Sequence, residues 1–317
     1  MSMPGALRVT LAGVLVAALT AGCGGSSSDS ASGMSKTEVT VGVLPIVDTA
    51  PFFIALKRGF FEDEGLTVNK TTIDSSPGGI SKLQSGDMDI SFSSYTAIFR
   101  AHAKGLKMHV LAEAYSAKPG VFVVLAKPGS DIRTAEDLSG KTIAVQSLSN
   151  VQTILIKSTL RTKGVNPKSV DFVKVPFPNL ETALKKGEVD TVLSVEPFTT
   201  SIKRNLGGHV VMDVTKGPTA NWPVAGYSVS QDFYNEHPKT AAAFKRAIQR
   251  ASKVAHNRAA VEKILPTYTK ITPETAAVMN LGTYPTTVDA TRLQRVSDLM
   301  HKFGLIDTKV DAEELVS

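Results

Sequence analysis

Between Phe172 and Phe198 the chain reads FVKVPFPNLETALKKGEVDTVLSVEPF. Phe172, Lys174 and Pro176 alternate with Val173, Val175 and Phe177, the two-residue period of a strand. Pro178 and Asn179 break that period. Asn179 is placed to cap a short helix with Leu180, Ala183 and Leu184 on one face and Gly187 as its stop. Val189 to Leu193 then reads as a buried strand that runs into Ser194-Val195-Glu196-Pro197. Pro197 at a first helical position makes Glu196 the expected cap of the next helix. The order is strand, loop, helix, strand, loop, and both loops follow strand carboxyl ends.

The same pattern occurs once before. Leu83, Gly86, Asp89 and Ser93 match Leu184, Gly187, Asp190 and Ser194 at a constant offset of 101, and Pro77 matches Pro178. Further upstream VTVGVLP, from Val39 to Pro45, resembles KTIAVQS, from Lys141 to Ser147, and Gly65 resembles Gly164. A bland reading, that GxxD with apolar flanks is merely common, does not explain four matches and a proline at one offset. Two copies predict two similar α/β lobes. Ligands of open α/β sheets lie outside the strand carboxyl ends, where helix N-termini point, so facing lobes would enclose a cleft.

The remaining elements follow from the same periodicities. Val39, Val41 and Val43 alternate, and Asp48 or Thr49 can cap a helix from Phe52 to Gly59. Gly65 turns the chain into a second strand, and Asp74 to Gly79 leads into the first repeat's helix. A strand from Met88 to Phe92 reaches Ser93-Ser94-Tyr95, which open a helix from Thr96 to Lys104. Lys107 to Ala112 is a further strand, followed by Glu113-Ala114-Tyr115. Thr134 to Leu138 forms a short helix into Gly140, then a strand from Thr142 to Val145 and the loop Gln146 to Asn150. A helix carrying Ile154, Leu155, Ser158 and Thr159 ends near Gly164. In the tail, Pro238 and Pro273 each start a helix, and Asp289 caps a third with Leu293, Val296 and Met300 at helical spacing.

The first 22 residues contain no acid and one base, Arg8. Val9 to Leu19 is an uncharged run too short for a bilayer span of ~20 residues and suited to the core of a signal peptide. Leu19-Thr20-Ala21-Gly22-Cys23 resembles a bacterial lipobox, with Thr20 where leucine is usual. The expectation is a leader over 1–22, lipid attachment at Cys23 and a flexible tether over 23–37 rich in Gly and Ser. An ordinary secreted protein with one free thiol is the alternative, but the thiol lies at the expected cleavage point. With one cysteine in all, the chain has no disulfide, and it carries a net charge of +6 without long charged runs or a nucleic-acid motif.

GVLPIVDTAPFFIALKRGFFEDEGLTV, LQSGDMDISFSS, EDLSGKTIAV, PFPNLETALKKGEVDTVLSVEPF and YNEHP resemble the solute-binding proteins of ABC importers for nitrate, sulfonates, taurine and thiamine precursors. The resemblance runs from about Val39 to Ile306, with the motifs in family order; each is weak alone, and their order and spacing carry it. It implies an α/β, two-lobed type II periplasmic-binding-protein fold with a hinge and a ligand cleft between lobes. The apolar runs Val121 to Ala126 and Ala225 to Ser230 would then be the crossings. Lobe one is expected over 38–126 plus 227–317 and lobe two over 127–226. The implied partners are a small-molecule solute, an ABC permease with its ATPase subunits, and the membrane through the lipid anchor of a monomer on the extracytoplasmic face. The alternative role is a surface lipoprotein that presents its ligand to a sensor protein.

Candidate ligand contacts are the polar loop residues Asp48, Thr49, Ser75, Ser76, Ser93, Ser94, Ser147, Ser149, Asn150 and Ser194. Hydroxyls and helix-start amides suit a small polar or anionic ligand, although each serine alone reads as readily as a helix cap. Tyr95, Tyr115, Phe177, Trp222 and Tyr227 are aromatics in or beside these loops, placed for stacking or for the core. Trp222, beside the second crossing, is expected to line the cleft. Glu196 is a cap or a ligand partner. No Arg or Lys falls in these loops, which with Asp48 and Glu196 favours a neutral or amine-bearing ligand over an oxyanion. An enzyme is not expected: the six histidines are scattered, and there is no GxSxG elbow or P-loop. No cofactor, metal or nucleic-acid partner is expected.

Overall fold

The computed structural model describes residues 33–148 and 150–316. Cys23, with the expected leader and most of the tether, and Ser149 lie outside the described residues. The strands are β1 (Glu38–Val43), β2 (Thr67–Thr72), β3 (Ile90–Ser94), β4 (Met108–Ser116), β5 (Val123–Ala126), β6 (Thr142–Val145), β7 (Asp171–Lys174), β8 (Thr191–Ser194), β9 (His209–Asp213) and β10 (Pro223–Ser230). The first-lobe helices are α1 (Ala50–Arg58), α2 (Phe60–Asp63), α3 (Ser76–Ser85) and α4 (Tyr95–Ala103). The second lobe has α5 (Val151–Thr162), α6 (Leu180–Lys186) and α7 (Phe198–Ser201). The tail adds α8 (Gln231–Glu236), α9 (Pro238–Ala255), α10 (Arg258–Ile264), α11 (Pro273–Val278) and α12 (Ala290–Lys302).

The strands form two sheets, ordered β2-β1-β3-β10-β4 and β7-β6-β8-β5-β9. In each, the first three strands are parallel and the fourth runs antiparallel to both neighbours. The sheets therefore share one plan, and the repeat seen in the sequence is a repeat of sheet-building units. Its local signals act as expected: Gly86 and Gly187 each end their helix in the left-handed region, at φ 79° and 71°, where a side chain would be strained. Asp89 and Asp190 each accept the backbone N–H of Thr40 or Thr142, at 2.8 Å in both, tying the third strand of a sheet to its first.

Strand β5 pairs with β8 and β9, and the whole of β10 pairs with β3 and β4. The two connections between sheets are thus 117–122 and 214–222, each starting upstream of the expected boundary. Val123 to Ala126 belong to the second sheet because both of their edges are bonded there. The connections run side by side. Ala117 N–H donates to Trp222 O at 2.8 Å, Gly120 N–H to Asp213 Oδ2 at 2.9 Å, and Val214 N–H to Phe122 O at 3.1 Å. Gly120 and Asn221 adopt positive φ here, 88° and 49°.

Helix α12 braces this junction. Arg292 forks onto the Glu113 carboxylate at 3.1 and 3.2 Å, and Ser116 Oγ donates to the same carboxylate at 2.6 Å. Burial raises the Glu113 pKa against the pull of Ser116 and Arg292. Arg295, one turn on, donates to Pro218 O and Ala220 O at 2.7 and 3.0 Å and lies over the Trp222 ring. Trp222 itself is fully buried. The core of lobe one continues as an aromatic layer in which Tyr227 meets Phe52, Phe92 and Phe244 with centroids 5.4–6.1 Å apart, a geometry in which rings attract beyond their buried area.

The expectation that Trp222 lines a cleft is therefore corrected: it plugs the junction from the core side. Trp222→Ala should lower unfolding free energy in urea by about 3–5 kcal/mol, the cost of emptying a large buried ring site. A loss below about 1 kcal/mol would contradict this placement.

Candidate functional site: the cleft between the lobes

After β1 the chain makes a tight excursion, Leu44 to Thr49, before α1 begins. Four hydroxyl-donated bonds hold it. Thr49 Oγ1 donates to Leu44 O and Ile46 O at 2.8 and 2.9 Å, Tyr268 OH to Ile46 O at 3.0 Å, and Tyr284 OH to Val47 O at 3.1 Å. Pro51 at the start of α1 and the cap Gly59 then set the helix. The loop projects Asp48 into a cavity of about 980 Å³ between the lobes. The Asp48 side chain keeps an opening to this cavity but is crowded by protein on every other side. Burial pushes its carboxyl up to about 7, and its own backbone N–H offsets this only in part.

The other loops of lobe one reach the same cavity as helix starts. Ser75 Oγ caps α3 by accepting Gly78 N–H at 3.2 Å, and Ser94 Oγ caps α4 by accepting Ala97 N–H at 3.4 Å. Ser76 Oγ accepts Ser94 N–H at 2.9 Å and so joins the two loops. Across the cleft, Asn150 Oδ1 caps α5 through Gln152 N–H at 3.0 Å, and Gln152 Oε1 accepts Gln146 N–H at 3.0 Å. Each cap satisfies one helix-start amide, and the capping side chains Ser75, Ser94 and Asn150 also line the cavity.

Glu196 is the residue that spans both lobes. Its Oε2 accepts Thr200 N–H at 3.1 Å, which caps α7 as expected, although the helix starts one residue later than the proline position suggested. Its Oε1 accepts Asn280 N–H of lobe one at 3.0 Å. Tyr115 lines the cleft with its hydroxyl accepting Gly282 N–H. Phe177 lines it from lobe two, stacked on Phe198 at 5.5 Å.

Nine of the expected residues thus line one cavity: Asp48, Ser75, Ser76, Ser94 and Tyr115 from lobe one, and Ser147, Asn150, Phe177 and Glu196 from lobe two. Six do not, and each has a physical reason. Thr49 turns back to bond its own loop. Ser93 lies on the opposite face of β3 from Ser94 and donates to Ser91 Oγ, and Ser194 is fully buried at the end of β8. Tyr95, Tyr227 and Trp222 are fully buried, with polar atoms that find no partner among the described residues. In particular Tyr95 fills the space beside Gly226, where an added Cβ would come within 2.8 Å of its hydroxyl.

The cavity also contains groups that loop reasoning missed. Arg100 and Lys104 line it from α4 and Lys174 from the end of β7, so the absence of cations from the loops does not extend to the cleft. Thr96 and Arg100 stand four residues apart on α4, and Lys104 follows four further on at its C-cap; that spacing is the available signal. Gln146 and Gln152 of lobe two and Ile80 of α3 are among the other lining residues outside the expected set.

Comparison with known proteins follows this geometry. The binding protein YtlA of Bacillus subtilis is 25% identical over 214 residues, 67% of this chain and 64% of that protein, so the chain spans a little less than two thirds of this relative's length. The solved periplasmic aliphatic sulphonate-binding protein SsuA from Escherichia coli matches with TM-score 0.75 at 18% identity, over 89% of this chain and 98% of that one. The periplasmic nitrate-binding protein NrtA from Synechocystis matches with TM-score 0.73 at 17% identity, over 88% and 85%. These likenesses identify the fold as the two-domain periplasmic-binding-protein fold, which agrees with the expectation from sequence. Residues 32–267, most of the chain, match the family model, and the protein belongs to the NMT1-like family.

Proposed function

We propose that this protein is an extracytoplasmic solute-binding protein that captures a small organic solute between its lobes and delivers it to the permease of an ABC importer. One observation carries the reading: two sheets of identical strand order turn their loop ends toward a single cavity and are joined by only two crossings. A cavity of about 980 Å³ suits a small organic molecule. Two crossings side by side allow one lobe to rotate on the other while both cores stay packed. The nine cleft-lining residues named above are the candidate ligand contacts, and the protein acts by binding rather than by catalysis. Its structural neighbours SsuA and NrtA are sulphonate- and nitrate-binding proteins, which supports the solute-binding role.

The anchoring proposal rests on Leu19 to Cys23. Cys23 would carry the lipid, and the Gly- and Ser-rich stretch behind it would let the folded part reach a permease.

A solute bound only by the folded protein stabilises it by about 2.7 kcal/mol at a hundredfold excess over Kd. A cleft ligand should therefore raise Tm by several degrees and reduce the radius of gyration in small-angle scattering. Stabilisation with no compaction would count against closure about the crossings.

Cys23→Ala should abolish metabolic labelling with palmitate and move the protein from the membrane to the soluble fraction. Unchanged membrane retention would reject the lipid anchor.

A further inference from the structure

Asp48 is a carboxylate that the fold fixes in place and leaves unpaired. The four hydroxyl-donated bonds to Leu44, Ile46 and Val47 hold its loop. Apart from its own backbone N–H, no group among the described residues donates a hydrogen bond to the carboxylate. Four tyrosines lie close enough to interact with it. Tyr115 comes from β4, Tyr227 from β10, and Tyr268 and Tyr284 from the tail. Tyr268 and Tyr284 donate to the loop's carbonyls, Tyr115 is engaged with Gly282, and Tyr227 OH is sealed in the core. Burial raises all four phenols, so they stay neutral near pH 7. The other cleft carboxylate, Glu196, already holds two backbone N–H groups.

Arg100, Lys104 and Lys174 share the cleft, but no cation offsets the effect of burial on Asp48. An unpaired carboxylate in such a wall costs stability. A strongly perturbed carboxylate that opens into a cavity marks a functional position. A positively charged group arriving in the cavity would remove that penalty. An oxyanion would meet a like charge, or would need Asp48 to keep its proton and donate it.

We infer that Asp48 receives a protonated nitrogen, and that the solute is a small organic amine or amidine whose body lies against Tyr115 and Phe177. This rests on the solute-binding reading above and adds the sign of the ligand's charge. Binding of such a solute favours ionised Asp48. Because the unliganded carboxyl titrates near 7, the proton leaves the protein on binding, and affinity falls as pH drops from 8 to 5. An anion gives the opposite sign in both measurements.

The test uses the purified full chain and a matched panel in which benzyl, pyrimidinylmethyl and short alkyl bodies each carry an amine, an alcohol or a sulfonate. Thermal shift at pH 8 should select amines. Calorimetry at pH 6.5 in buffers of different ionisation enthalpy should report proton release. Asp48→Asn should weaken amine binding about tenfold or more, the scale of one lost charge-assisted bond, and should flatten the pH dependence. The same variant should melt higher than wild type at pH 8 and not at pH 4, because the penalty of a raised carboxyl sets in as pH rises past the unfolded-state value of about 4 and is complete above about 7. Binding by sulfonates alone, proton uptake, or unaltered amine affinity in Asp48→Asn would overturn the inference and leave solute binding standing. No binding by any member would overturn both.

Discussion

Strand β10 enters the first sheet only after the chain has completed the second, and it does so between β3 and β4, bonded along both edges. Until it arrives, β3 and β4 have no shared partner and the first sheet is in two pieces. The lobes are therefore mutually dependent in construction, although each carries its own strand plan. Strand β5 plays the same part in the second sheet, between β8 and β9. The crossings feed these two inserted strands, so the junction is continuous with the middle of each sheet. A rotation about it moves whole sheets with their loops, and the cleft walls keep their shape as their separation changes.

Two kinds of hydrogen bond then decide what faces the cleft. A side-chain cap takes one helix-start amide at each of α3, α4 and α5, which leaves one fewer backbone donor at each. Hydroxyl donors from distant elements, Tyr268 and Tyr284, fix the carbonyls of Ile46 and Val47, just ahead of Asp48. The tail is thus more than packing around lobe one, since it supplies the pins of the first cleft loop and, through Asn280, a partner for Glu196.

Periodicity and the offset of 101 made the strand–loop–helix units legible because those signals are local: a cap, an alternating run and a left-handed glycine act within ten residues. Which face of a strand meets the cleft is not local. Ser93 and Ser94 differ by one position and lie on opposite faces of β3, the consequence of a two-residue period. Trp222 sits at the entry to β10, and its direction depends on the Ala117 and Arg295 contacts made across more than seventy residues in either direction. Of the aromatic loop residues, Tyr115 and Phe177 face the cleft, whereas Tyr227 turns to the core: a ring beside a polar loop goes wherever the facing layer leaves volume, and Phe52, Phe92 and Phe244 leave it on the core side. Arg100 and Lys104 are not legible from the loops because the wall they line extends along α4, past the loop that opens it.

The shared plan of the sheets also has a consequence for direction. Val39 to Pro45 and Lys141 to Ser147 align at an offset of 102, and carried three residues on, that offset pairs Asp48 with Asn150. Both side chains line the cavity, from opposite lobes. The duplicated loop thus ends in an acid on one side and in its amide on the other, so at this pair of positions the two walls differ by the exchange of an oxygen for an NH₂ group. A truly twofold cleft would accept a bipolar guest in either sense. The Asp48 and Asn150 pair is one place where this cleft is not twofold, and under the solute-binding proposal it would make the two senses of a bipolar guest unequal.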